Sequence, residues 1–159
     1  MNRIYCAIGK LVEVTQNIEM DILDVIYGSE IIKEFGRHQN KLTKQEFEQV
    51  VDDSKYLKDK METMTFGQMI SIVYESESLK RDEINELKAL LEKRNYFTHE
   101  YFKCTKFGQN PSEEFILDEF EAIKEYLRKL KSMYSKLEII KKGQNERIEF
   151  LKLKSGLNL

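Results

Sequence analysis

IYCAIGKLVEVTQNIEMDILDV, residues 4–25, sets Ile4, Ile8, Leu11, Thr15, Ile18, Ile22 and Val25 at alternating spacings of four and three. That is the repeat of one face of an α-helix, whereas a strand would alternate every second residue. The stretch reads as a long amphipathic helix with a single apolar stripe, expected to stop near Gly28. Such a helix is stable in water only when the stripe lies against other helices, so these residues point to a helical bundle.

The remaining chain extends the same pattern. SEIIKEFGRHQN, residues 29–40, has room for a short second helix before Gly36. Thr43 followed by Glu46 is a capping-box spacing, and it opens a helix carrying Phe47, Val50, Val51, Tyr56, Leu57 and Met61. Thr65-Phe66-Gly67-Gln68 reads as a fresh cap and first turn leading into Met69, Ile70, Ile72 and Val73. Gly67 suggests close backbone approach rather than a phosphate cradle, because no glycine-rich loop surrounds it. Ser78 to about Phe102 forms the next helix, with Ile84, Leu87, Leu90, Leu91, Phe97 and Tyr101 inward.

Gly108 and Asn110-Pro111 mark a turn. A last long helix is expected from about Ser112 to Lys142, with Phe115, Ile116, Phe120, Ile123, Leu127, Leu130, Tyr134 and Leu137 as its stripe. Gly143 is its expected stop. Residues 143–159 then read as a C-terminal tail or short docking helix. The expected fold is all-α: an up-and-down bundle, within residues 1–142, of about four long helices plus one or two short ones.

Composition agrees with this class. The 159 residues suit one domain, and 34% charged with 41% hydrophobic residues, 7 Gly and 1 Pro favour long amphipathic helices. The net charge of -2 gives no bulk preference for nucleic acid. From Lys124 onward, however, ten Lys and Arg stand against four Glu, leaving the earlier residues strongly acidic. That basic stretch reads either as a polyanion-facing surface or as an ordinary solvated helix face. Cys6 and Cys104 have no partner spacing, which fits a reducing compartment. MNRIYCAIGKLVEV is no secretory leader, and no window is apolar enough to span a membrane. A cytoplasmic protein without a membrane partner or cofactor is expected.

KRNYFTHEYF, residues 93–102, departs from ordinary packing by concentrating polar, titratable groups among aromatics. At about 100° per residue, Asn95 and His99 share one helix face. Arg94, Thr98 and Tyr101 share an adjoining one. A guanidinium grips phosphate bidentately and keeps its charge. An imidazole exchanges a proton near neutral pH. Together they supply the parts for phosphodiester cleavage without a metal: proton transfer at a ribose 2′-hydroxyl and stabilisation of charge on the phosphoryl oxygens. Glu92, His99 and Glu100 make no recognised ligand set, and Cys104 lacks an orienting group beside His99. Spacing alone leaves a structural alternative, in which cations near a helix C-terminus simply satisfy the dipole and the last carbonyls.

Arg94-Asn95-Tyr96-Phe97-Thr98-His99-Glu100-Tyr101 resembles the signature of the HEPN superfamily. That signature is an arginine, four to six residues and a histidine, commonly with a polar residue after the arginine, late in a long helix of a small all-α bundle. Tyr101, two residues past the histidine, resembles the HEPN toxins that pair with a nucleotidyltransferase antitoxin. The resemblance implies a metal-independent endoribonuclease, a toxin or antiviral effector, acting on RNA as a homodimer. It implies catalytic roles for Arg94 and His99, support from Asn95, and an accessory role for Tyr101 as the place where an antitoxin attaches a nucleotide. It also includes relatives that keep the fold as non-catalytic dimerisation or binding modules. His38, the second histidine, lies in a separate segment, so two copies of His99 at a two-fold axis would supply both acid and base.

Overall fold

The computed structural model describes residues 2–101 and 112–157. They form α1 (Asn2–Arg37), α2 (Lys44–Glu62), α3 (Phe66–Glu75), α4 (Arg81–Asn95), a π-helical turn continuing α4 (Tyr96–Glu100), and α5 (Glu113–Lys154). No strand occurs among the described residues. The expected turn at Gly108 and Asn110-Pro111, together with Phe102 and Cys104, lies outside them.

Helix starts follow local chemistry. The Thr43 backbone N–H donates to Glu46 Oε2 at 2.8 Å, and Glu46 N–H returns a bond to Thr43 Oγ1 at 3.3 Å. Thr65 and Gln68 repeat this box at the head of α3. Each box satisfies two first-turn donors that the helix leaves unpaired. Ser112 Oγ accepts from Phe115 N–H at 3.2 Å and opens α5. α4 starts at Arg81, three residues later than expected from Ser78. Glu77 takes a left-handed φ of 52°, and the Lys80 N–H donates to Glu83 Oε2 at 2.7 Å.

The helices alternate in direction. α2 runs antiparallel to α1, as Lys58 Nζ sits 2.8 Å from Asp24 while His38 Nδ1 sits 3.8 Å from Glu46. α3 and α4 form an antiparallel pair, with Lys88 over the Tyr74 ring at one end and Gly67 facing Leu91 at the other. α4 runs against α5, fixed by Lys136–Glu86 and by the Tyr126 hydroxyl donating to the Leu90 carbonyl. α1 and α5 are therefore parallel, in extensive contact along most of their lengths. The bundle is up-and-down, as its sequence pattern indicated.

Two hydrophobic clusters hold it. The larger contains every residue of the α1 stripe that opens the sequence except Thr15, with Met61, Ile70, Leu87, Leu130 and Leu137 among its other members. Thr15 is itself buried, and its hydroxyl donates to the Leu11 carbonyl at 2.9 Å. The smaller cluster joins Ile31 and Phe35 of α1, Leu42, Phe47 of α2, Ile148 and Leu151 of α5, and Leu157.

The smaller cluster corrects two expected boundaries. α1 does not stop at Gly28 and leaves no separate helix for residues 29–40; it continues to Arg37. α5 does not stop at Gly143 but runs to Lys154, so residues 144–154 belong to the bundle instead of a tail. A helical glycine costs about 1 kcal/mol relative to alanine. Burying one side chain such as Phe35 or Leu151 returns about 1.5–3 kcal/mol, which outweighs it. Gly28 has a positive reason to be glycine: a Cβ there would meet Gln144 Oε1 at 2.7 Å. Gln144 crosses at this point and donates to the Val25 carbonyl and Ser29 Oγ.

The same helix pair carries a charged seam. Lys141 Nζ lies 2.5 Å from Asp21, 2.8 Å from Glu138 and 3.3 Å from Asp24. Burial alone would lower the lysine pKa, but the hydrogen bonds that Lys141 donates to these carboxylates win and raise it. Asp21 is raised by its own burial, with Lys141 opposing. Among the described residues, six of the ten cations from Lys124 onward are ion-paired. The basic stretch thus behaves largely as a compensated helix face. Among the described residues no helix is long and apolar enough to cross a membrane.

Candidate functional site

The end of α4 changes its winding where the motif begins. Residues Tyr96–Glu100 form a π turn, closed by Tyr101 N–H donating to the Tyr96 carbonyl five residues back. Such widened turns recur at functional sites because they re-aim side chains within an otherwise regular helix. Aromatic packing anchors the turn. Phe97 stacks on Tyr126 with centroids 5.6 Å apart, and Tyr101 packs against Phe97 at 5.6 Å and edge-on to Tyr96 at 6.0 Å. Phe97 and Tyr101 point into the core, so Asn95 and His99 are left outside.

Arg94, Asn95 and His99 meet in one open groove of about 500 Å³, whose opposite wall is Thr65, Phe66 and Gly67 at the start of α3. Asn95 and His99, which share a helix face by their spacing, thus line this groove together with Arg94. A Cβ at Gly67 would make only ordinary contact with Leu91 at 3.5 Å, so the close backbone approach expected there is not what the position requires. Thr98 steadies the turn by donating to the Arg94 carbonyl at 2.9 Å.

The Arg94 side chain is half-buried. Its Nη1 donates to Asn95 Oδ1 at 3.1 Å, its Nη2 lies 3.8 Å from Glu19 Oε1 on α1, and its Nε is enclosed without a hydrogen bond. Glu19 is raised from the usual carboxylate range by burial, with Arg94 pulling the other way. Sequence reading missed Glu19. The available signal was its place beside Ile18, on the flank of the α1 stripe and not opposite it, where an acid is half-buried and wants a cation.

Tyr101 points inward, as its place in the stripe of residues 78–102 indicated, and does not line the groove with Arg94. Its side chain is fully enclosed, and burial together with the neighbouring Glu119 carboxylate raises its pKa. A nucleotide can be joined to its hydroxyl only after the ring leaves the core. His38 stays remote from the groove, exposed in the turn after α1 beside Glu46. Among the described residues no group of three His, Cys, Asp or Glu side chains is arranged to hold a metal ion. The groove therefore brings together the Arg94 cation, the Asn95 amide, the solvent-facing His99 imidazole and the Glu100 carboxylate. That set can bind a phosphate and exchange a proton beside it.

Comparison of the chain with protein-family models, with curated proteins and with solved structures finds no match.

Proposed function

We propose that the chain is a metal-independent endoribonuclease of the HEPN type, a toxin or antiviral effector, cleaving RNA at a site shared between two copies. The observation that carries this reading is the common groove of Arg94, Asn95 and His99 at the π turn. In the proposed reaction the ribose 2′-oxygen attacks the adjacent phosphorus and the bond from phosphorus to the 5′-oxygen breaks. A 2′,3′-cyclic phosphate and a 5′-hydroxyl result. One imidazole takes the 2′-hydroxyl proton and a second donates a proton to the departing 5′-oxygen. Arg94 compensates the charge that accumulates on the non-bridging oxygens. Since His38 is remote, the second imidazole is His99 of another copy, brought near by an isologous two-fold interface. Control by a nucleotidyltransferase antitoxin at Tyr101 would require the ring to swing out first.

One observation favours a second reading, a non-catalytic dimerisation or binding module. Both terminal nitrogens of Arg94 already face protein groups, Asn95 and Glu19. Cleavage of single-stranded RNA in excess chelator separates the two. The enzyme reading expects a cut that falls by about 10²–10⁴-fold in His99→Ala, with an unchanged melting curve because His99 is exposed. It also expects activity to fall as sedimentation shows dimers dissociating. Uncut RNA with the wild type, or equal cutting by His99→Ala, leaves the binding module.

A further inference from the structure

The three nitrogens of the Arg94 guanidinium have different surroundings, and these limit how it can take a phosphate. Bidentate recognition uses two neighbouring N–H groups, either Nη1 with Nη2 or Nε with Nη2. Nε is enclosed, which closes the second edge. The remaining edge is the one flanked by Asn95 Oδ1 and by the Glu19 carboxylate. The Glu19 contact is 3.8 Å, an ion pair longer than a hydrogen bond, between side chains only 26% and 22% exposed. An anion thus already sits beside the open edge, attracted to it but not locked onto it.

We propose that Glu19 is an internal stand-in for the substrate phosphate, occupying the Arg94 edge in the free protein and yielding it when a phosphodiester binds. Glu19 is then a positioning residue, acting through Arg94 and never touching the reacting atoms. Two anions cannot share one guanidinium edge in a half-buried setting without repulsion, so the carboxylate raises the threshold for binding. A ligand must bring further contacts, such as neighbouring phosphates or bases along the groove, to displace it. This disfavours small monovalent anions and favours a polynucleotide. The polynucleotide identity rests on the ribonuclease reading; the competition for Arg94 rests on the geometry alone.

The experiment uses full-length protein and a labelled 2′-deoxy oligonucleotide, which has no 2′-hydroxyl to react, with binding read by fluorescence anisotropy. Glu19→Gln should tighten binding by about fivefold, the scale of a partly exposed ion pair. On RNA it should lower KM by a similar factor and leave kcat unchanged. Glu19→Asp keeps the charge and should remain near wild type; Glu19→Met supplies a second uncharged variant should Glu19→Gln fold poorly. Glu62 lines the same hollow as Glu19. Glu62→Gln should leave binding unaltered, which separates a direct pair from a general charge effect. The proposal is overturned by unchanged or weaker binding in both uncharged variants, by an equal gain in Glu62→Gln, or by no binding in any variant. Oligonucleotide binding that tightens as expected while the wild type fails to cut RNA would sink the enzyme reading and keep the competition.

Discussion

Replacing Leu151 by alanine probes whether the end of α5 is part of the bundle. Leu151 is 1% exposed and closes the smaller cluster against Phe35, Phe47 and Leu157. Leucine-to-alanine changes at such sites remove transfer energy and leave a cavity, at a cost of about 3 kcal/mol. Against a total of roughly 5–15 kcal/mol for a domain of this kind, that is a large share. At about 2–4 °C per kcal/mol, the melting temperature should drop by about 6–12 °C. Leu153, two residues away and 68% exposed, is the internal comparison, and Leu153→Ala should change stability by less than about 0.5 kcal/mol. Urea unfolding followed by circular dichroism gives both values, with an unchanged slope if the bundle still unfolds as one unit. Amide exchange adds a location: Leu151→Ala should weaken protection in the Ile31–Phe35 stretch of α1, which is distant in sequence but shares the cluster. Equal, small effects from the two alanine variants would refute the packing argument and restore the detachable tail.

Three further outcomes rest on named contacts. Lys141→Met leaves the buried Asp21 facing Asp24 and Glu138 without its cation, and should cost about 2 kcal/mol near neutral pH after allowance for partial exposure. Because burial raises the Asp21 pKa, the fold holds that proton more firmly than the unfolded chain, and the deficit should shrink as pH falls toward 4; a deficit that grows on acidification refutes the assignment. Gly28→Ala and Gly143→Ala should move the melting temperature in opposite directions. The first collides with Gln144 and outweighs the ~1 kcal/mol gain in propensity, whereas the second meets nothing within 4 Å and keeps it. His99→Ala should lower RNA cleavage by about 10²–10⁴-fold while melting like the wild type, checked in the same preparations.

What could be read from the sequence was what depends on near neighbours. The stripe from Ile4 to Val25 is buried throughout, and the Thr43 capping box and the Thr65 cap form where their residues indicated, because a cap needs only residues three apart. Glycine misled for the opposite reason. As a helix stop it is a local rule, but Gly28 and Gly143 lie where two long helices remain in contact, and burial on both sides of each glycine overrides it. Asn95 and His99 were legible as a pair since four residues of helix bring them round, with Arg94 next to Asn95 in the chain. Glu19 was not, since 75 residues separate it from its partner and nothing in its own neighbourhood names that partner. The inward seat of Tyr101 was legible in the apolar stripe, whereas the π winding that delivers it was not, since a regular wheel assumes constant winding.

The π turn also bears on how such a motif tolerates change in chain length. A π turn is an α-helix that has absorbed one extra residue without shifting the register of the helix beyond it. Here the residue is accommodated between Arg94 and Tyr101, so the aromatic anchor keeps its seat in the core while the segment carrying His99 bulges outward. An insertion or deletion of one residue between arginine and histidine should therefore be absorbed by the local winding, with the Tyr101 anchor kept in its seat. A motif whose gap varies by a residue or two among otherwise similar helices is what that mechanical slack would produce. The gap length then records how tightly the helix is wound at the groove, a property of backbone register and not of the side chains within the gap.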